Sequence, residues 1–173
     1  MPCNGGYRND IQASKVRAAA EKAYLQTPEH KHWMWLVHQV HDTADGFASL
    51  SHPNKLFFAT NLVSREVYNG GFDQYFVNSS ADYFNFAVEG LTSMGAVESL
   101  KLLLTAKQLF YGHTDVPTTQ TSRWDFSNAL DTATKANRDA ASDLLDKSFW
   151  TDPDKLDERM LQFAQRYDLY KDF

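Results

Sequence analysis

Four histidines, His30, His32, His38 and His41, crowd together in this 173-residue chain, with Asp42 and Asp45 beside them. On a helix, His38, His41 and Asp45 share one face at i, i+3 and i+7. Two imidazoles and a carboxylate at that spacing could bind one metal ion. No second cluster completes a tetrahedron. The competing reading is therefore amphipathic side chains beside Trp33 and Trp35, bonded to neighbours or half exposed. Nucleophilic chemistry has less to stand on. The single cysteine, Cys3, lies near the start of the sequence, and no Gly-x-Ser-x-Gly is present. Asn69-Gly70-Gly71 lacks the spaced glycines and following lysine of a phosphate-binding loop. No cofactor is expected, and a metal-dependent enzyme using His38, His41 and Asp45 is the alternative from a different functional class.

The other chemistry-bearing pattern is acidic. Read as one helix from Ser122 to Trp150, the chain places Asp125, Asp139, Asp143 and Asp146 within about 60° of one another at 100° per residue. The expected core stripe of that helix, Phe126, Leu130, Ala133, Ala140, Ala141 and Leu144, points the other way. Asp125 and Asp146 would lie roughly 30 Å apart at about 1.5 Å per residue, close to the length of nine base-pair steps. Asp152, Asp154, Asp157 and Glu158 would prolong the stripe onto the next helix. The competing reading is a solvated face, because carboxylates at helix starts serve as caps and complement the macrodipole, and Lys135 partly neutralises the stripe.

The elements that must carry these groups read as helices throughout. Ile11 to Leu25 is Ala-rich, with Val16, Ala19, Ala20 and Ala23 on one side. Glu29 to Leu50 keeps a 3.6-residue period through Trp33, Leu36, Val37, Val40, Ala44 and Phe47, and Asn54 to Tyr68 follows after Ser51-His52-Pro53. Ala81 to Met94 is apolar nearly all round, which predicts the central helix, and Gly95 stops it. Val97 to Phe110 leads into the loop Tyr111 to Thr121. Ser122 and Asp125 have a capping-box spacing, and Asp152-Pro153 reads as an N-cap followed by proline at the first helical position. No strand alternation or repeat appears.

Between two of these helices lies Glu66-Val-Tyr-Asn-Gly-Gly-Phe-Asp-Gln-Tyr-Phe-Val-Asn-Ser-Ser80. Asn69, Gly70 and Gly71 form a helix stop. Phe72, Tyr75 and Phe76 then place three rings on one buried face, while Asp73 and Gln74 point the other way. Asn78, Ser79 and Ser80 end the segment and offer oxygens to cap the helix beginning near Ala81. With Ala81-Asp82-Tyr83 and the Gly95-Ala96 break, this run resembles the bacterial DNA-mimic protein family first named for a Neisseria protein, also catalogued as a domain of unknown function. The likeness covers about Lys55 to Phe110. It implies an all-helical fold. Because the founding member imitates double-stranded DNA with surface carboxylates and binds a transcription factor, it also implies an acidic protein-binding role, although the matching residues are packing and turn residues.

Composition narrows the rest. Aromatic residues at 14% and charged residues at 23% suit a soluble globule, and a chain of this size buries roughly 70% of its unfolded surface. The net charge is −5, with 12 Asp/Glu against 8 Lys/Arg from Asp115 to Phe173. Basic clusters that would neutralise phosphates are missing, so nucleic acid is not expected as a direct ligand. Neither a membrane-length apolar run nor a signal-peptide core is present, which makes the cytoplasm the expected compartment. The sequence thus predicts one all-α domain over 1–173, a bundle of about eight helices with a motif core near 55–110 and acidic helices near 122–170. The expected role is non-enzymatic protein binding, as an acidic decoy for a DNA-binding protein. The alternative within that class is an immunity or antitoxin protein that neutralises a toxin.

Overall fold

The protein is all-helical in a computed structural model that describes residues 5–173, with side chains from Ser14 onward. Eight α-helices and two short 3-10 helices occur among the described residues, and no strand does. The chain divides into two units, residues 1–49 with 168–173, and residues 50–167.

In the first unit, α1 (Gly5–Tyr24) is followed by α2 (Pro28–Asp42). Thr27 caps α2 by accepting from the His30 amide, and Pro28 occupies the first turn, where no amide partner is needed. The helix stops at Asp42, well short of the expected Leu50, and a 3-10 turn at Gly46–Ser49 replaces its last part. Thr43 ends the helix in an extended conformation, and its hydroxyl takes the Gln39 carbonyl while accepting from the Gly46 amide. The apolar period through Phe47 therefore continued past a side-chain stop. His32 is buried against Trp35, Tyr170 and Phe173, with ring centroids 5.9, 5.4 and 5.2 Å away. Val16, Ala19, Ala20 and Ala23, which the sequence places on one side of α1, are exposed.

The second unit is built around α3 (His52–Val77), which buries thirteen residues from Leu56 to Phe76. This helix, not the Ala81–Met94 segment, is the central one. That segment divides into a 3-10 turn (Ser79–Tyr83) and α4 (Phe84–Ser93), which buries only Ala87, Gly90 and Leu91. Its apolar girdle arises because Phe84, Phe86 and Val88 are only half buried. Gly90 lets α4 approach α3 closely, since a Cβ there would lie 2.3 Å from Thr60 Oγ1 and 2.8 Å from the Leu56 carbonyl. Gly95, at φ 69°, ends α4 as expected, with the Ala96 amide reaching back to the Leu91 carbonyl at 2.9 Å.

Four further helices complete this unit: α5 (Val97–Tyr111), α6 (Gln120–Asn128), α7 (Thr132–Trp150) and α8 (Leu156–Arg166). The expected single helix from Ser122 to Trp150 is broken, because Asp131 caps α7 by accepting from the Ala133 and Thr134 amides, both at 3.0 Å. Thr119, not Ser122, caps α6.

Candidate functional site

The segment from Glu66 to Ser80 is a broken helix, and much of the second unit is organised to satisfy the break. Gly70 (φ −157°, ψ 23°) and Gly71 (φ 78°, ψ −177°) leave helical geometry inside α3. Gly71 has a conformation open essentially to glycine alone. A regular helix would pair the Val67 carbonyl with the residue 71 amide and the Tyr68 carbonyl with the Phe72 amide. Both long-range repairs come from α7. Trp150 Nε1 donates to the Val67 carbonyl at 2.8 Å, and Asp146 Oδ1 accepts from the Phe72 amide at 2.8 Å. The fit at the second repair is tight, since a Cβ on Gly71 would come 2.2 Å from Asp146 Oδ2.

A carboxylate also ties the two sides of the break together. Glu66 accepts from Gln74 Nε2, from Asn78 Nδ2 at 3.0 Å and from Ser80 Oγ at 2.6 Å, and Asn69 Nδ2 donates to Gln74 Oε1. Asn78 and Ser80 thus turn inward to Glu66 and do not cap the following turn, while Ser79 is exposed. Phe72, Tyr75 and Phe76 are fully buried, as the spacing requires. Phe72 packs edge-on to Phe149, and Phe76 lies against Phe110 and Tyr111.

At the end of α3 the free carbonyls go to α6. Arg123, at 1% exposure, is buried. It donates through Nε to Phe76 O at 2.9 Å, through Nη2 to Asn78 O at 2.7 Å and through Nη1 to Pro117 O at 2.8 Å. Its Nη2 also pairs with Asp82 Oδ1 at 2.7 Å. Trp124 Nε1 takes the Val77 carbonyl. Burial pushes the Tyr111 hydroxyl up to about 12, with Arg123 and Arg138 opposing the shift. No sequence signal marks Glu66, Arg123, Arg138 or Trp150 for these roles. An arginine in a Ser-Arg-Trp run carries no signal of a buried helix cap.

The acidic residues sort into two kinds. Asp146 is not on an outward face. It is buried at 7% exposure, and burial, with Asp143 and Asp73 nearby, pushes its carboxyl above the ordinary value against the pull of the Phe72 amide. Asp152 and Asp154 serve as caps: Asp152 Oδ1 accepts from the Leu156 amide at 2.8 Å, and Asp154 Oδ2 accepts from the Ser99 amide of α5 at 2.6 Å. Pro153 lies outside α8, whose N-cap position is Lys155 in the left-handed region. Asp125, Asp139, Asp143, Asp157 and Glu158 are exposed. Asp125 sits on α6, so it does not extend a stripe along α7, and Glu158 pairs with Lys155.

Asp139 and Asp143 flank the buried face of α7 where it meets the broken part of α3. There Arg138 is buried with its guanidinium over the Phe110 ring at 4.8 Å. Its Nη2 reaches Asp139 Oδ1 at 3.1 Å and Asp73 Oδ1 at 3.5 Å, and its Nη1 donates to Ser127. The expected core stripe of this helix faces outward, with Leu144 65% exposed and Ala133 and Ala140 exposed. The helix is rolled about half a turn from expectation at 100° per residue.

The histidine arrangement does not assemble. The end of α2 at Asp42 removes Asp45 from the helical face, and His38 Nδ1 lies 3.0 Å from Asp42 Oδ2, both groups being exposed. His41 is exposed as well. No group of three His, Cys, Asp or Glu side chains that could hold a metal ion occurs among the described residues, and Cys3 lies outside them. No described helix is long and apolar enough to cross a membrane.

No curated protein and no solved structure matches the chain. A family model does, over residues 48–167, which extends the 55–110 likeness in both directions and takes in the broken helix together with the α6, α7 and α8 groups that satisfy it. With well over half of its length matched, the chain belongs to the family described as DMP19-like protein.

Proposed function

We propose that the protein is a non-catalytic, cytoplasmic protein-binding module that presents carboxylates to a basic partner, a DNA-binding protein, in place of DNA phosphates. The supporting observation is the seam between α3 and α7. Here Asp73 and Asp139, each about half exposed, share the buried Arg138, and Asp143 stands beside them. Arg138 engages only Oδ1 of each of these two carboxylates. Carboxylates fixed in this way can meet Lys or Arg groups that would otherwise contact phosphates. Membership of the DMP19-like family supports the same reading. Asp125 and Asp157 add negative potential elsewhere on the unit, whereas Glu158 is paired with Lys155. Asp146, Asp152 and Asp154 are reserved for the fold.

The test is to identify a partner by pull-down from the host and measure its affinity for the wild type and for Asp139→Lys with Asp143→Lys across a salt series. The double variant removes the nearer of the two carboxylates that hold Arg138, so its helix content is verified first; it should then associate more slowly and lose much of its salt dependence. Unchanged affinity, or simultaneous binding of DNA and this protein by the partner, would remove the decoy role.

A further inference from the structure

Beside Asp82, the carboxylate that pairs with Arg123, lies a cavity of about 240 Å³, lined by Asp82, Phe84, Asn85, Lys107, Asp115 and Thr118 among others. It carries both signs of charge, but its cations and anions are differently occupied. The Lys107 ammonium donates to the Gly112 carbonyl at 3.0 Å. Arg123 is spent on three backbone carbonyls and on Oδ1 of Asp82. Asp82 is 37% exposed at its side chain, and its Oδ2 has no partner among the described residues. Asp115 is exposed and has no hydrogen bond or ion pair among them. The open acceptors are two carboxylates, the Asn85 amide oxygen and the Thr118 hydroxyl, while Lys107 keeps two further N–H donors and Asn85 and Thr118 can donate as well. Phe84 adds a half-buried ring beside them.

We propose that this cavity binds an alkyl-guanidinium group, with Asp82 and Asp115 accepting its N–H donors and Phe84 stacking on its plane. A planar fork of donors matches two carboxylates and a ring face better than a compact ammonium does. Asp82 is well suited because Arg123 holds one of its oxygens and turns it into a fixed acceptor. Lys107 opposes the incoming charge. The cavity uses none of the α7 carboxylates, so the inference rests on the protein-binding reading only for one of two sources of the group, an arginine side chain of a partner. The other source is a free small guanidine.

The full-length chain is titrated with ethylguanidinium chloride while the backbone amides of Asn85 and Thr118 are followed by NMR, with sodium acetate as the opposite charge. Saturable shifts at these amides with ethylguanidinium are expected. Asp115→Asn should weaken binding about tenfold or more, as expected for a lost charge-assisted hydrogen bond. This side chain makes no contact that holds the fold. Lys107→Met should tighten binding. Tighter binding of the blocked tripeptide acetyl-Gly-Arg-Gly-amide than of ethylguanidinium assigns the site to a protein side chain, and the reverse order assigns it to a small ligand. Absence of saturable shifts, stronger shifts with acetate, or loss of binding in Lys107→Met would overturn the proposal. Retained ethylguanidinium binding in Asp139→Lys with Asp143→Lys would separate this site from the α7 face, so either reading can fail alone.

Discussion

Helix α8 buries Leu156, Met160, Phe163 and Ala164, whereas the longer α7 buries Arg138, Ser142, Asp146 and Phe149 and leaves Leu144 in solvent. Both helices pack within one unit, yet only α8 obeys the rule that the apolar stripe faces inward. The difference lies in what each helix meets. Besides its apolar contacts, α8 receives one carboxylate cap at its start. In contrast, α7 meets a broken backbone, where a free amide and a free carbonyl need partners that apolar side chains cannot supply. An unsatisfied buried amide costs about 1–3 kcal/mol, while the rejected stripe is mostly alanine and offers little area to bury. With Phe149 adding apolar burial on the polar side, the rolled orientation wins.

The comparison breaks most visibly at Phe149. Replacing it with Ala should cost about 3–5 kcal/mol in urea unfolding, matching Phe163→Ala on α8, whereas Leu144→Ala should stay within about 0.5 kcal/mol. The opposite order would restore the face expected from the pattern. Next comes Gly90→Ala, which forces α4 off α3 and should cost about 1–3 kcal/mol by the same measurement. A neutral result would show that the two helices are not in close contact at Thr60.

Asp146 sharpens the contrast further. Asp146→Ala should cost about 1–3 kcal/mol by stranding the Phe72 amide, and that amide should then exchange faster with deuterium than its neighbours. Asp146→Asn keeps an acceptor oxygen but no titration. Because burial raises the folded-state pKa of Asp146, its stabilising contribution is full below the unfolded value of about 3.9 and is lost as pH rises through the folded value. The Tm difference between Asp146→Asn and wild type should therefore move in favour of Asn from acid to neutral pH. A parallel pair of profiles would mean that the carboxyl is not desolvated. The smallest effects belong to the caps: Asp152→Ala and Asp154→Ala should each cost about 0.5–2 kcal/mol, and exposed Asp157→Ala almost nothing.

Much of the fold is legible because most buried stripes are apolar. Phe72, Tyr75 and Phe76 are core as their spacing requires, Gly95 ends its helix, and α8 buries the face its leucine, methionine and phenylalanine mark out. What escaped is polar burial. Arg123 and Arg138 are hidden because backbone carbonyls, carboxylates and the Phe110 ring receive them, and nothing local to either arginine announces partners 45 to 65 residues away. The acidic site was half legible for the same reason. Asp139 and Asp143 stay outside, while Asp146, on the same side of the helix wheel, is drawn in by an amide that only a Gly-Gly break exposes.

That break also imposes an order of events on the ribosome. Phe72 and its acceptor Asp146 are 74 residues apart, so at about 5–20 residues per second the amide waits roughly 4 to 15 s for its carboxylate to be synthesised, before any delay in the exit tunnel. Throughout that interval the first half of α3 and the aromatic turn after Gly71 share a hinge whose long-range clasps do not yet exist. Until α7 arrives, the angle between these two pieces is held by the Glu66 carboxylate through Gln74, Asn78 and Ser80, without the clasps at Val67 and Phe72.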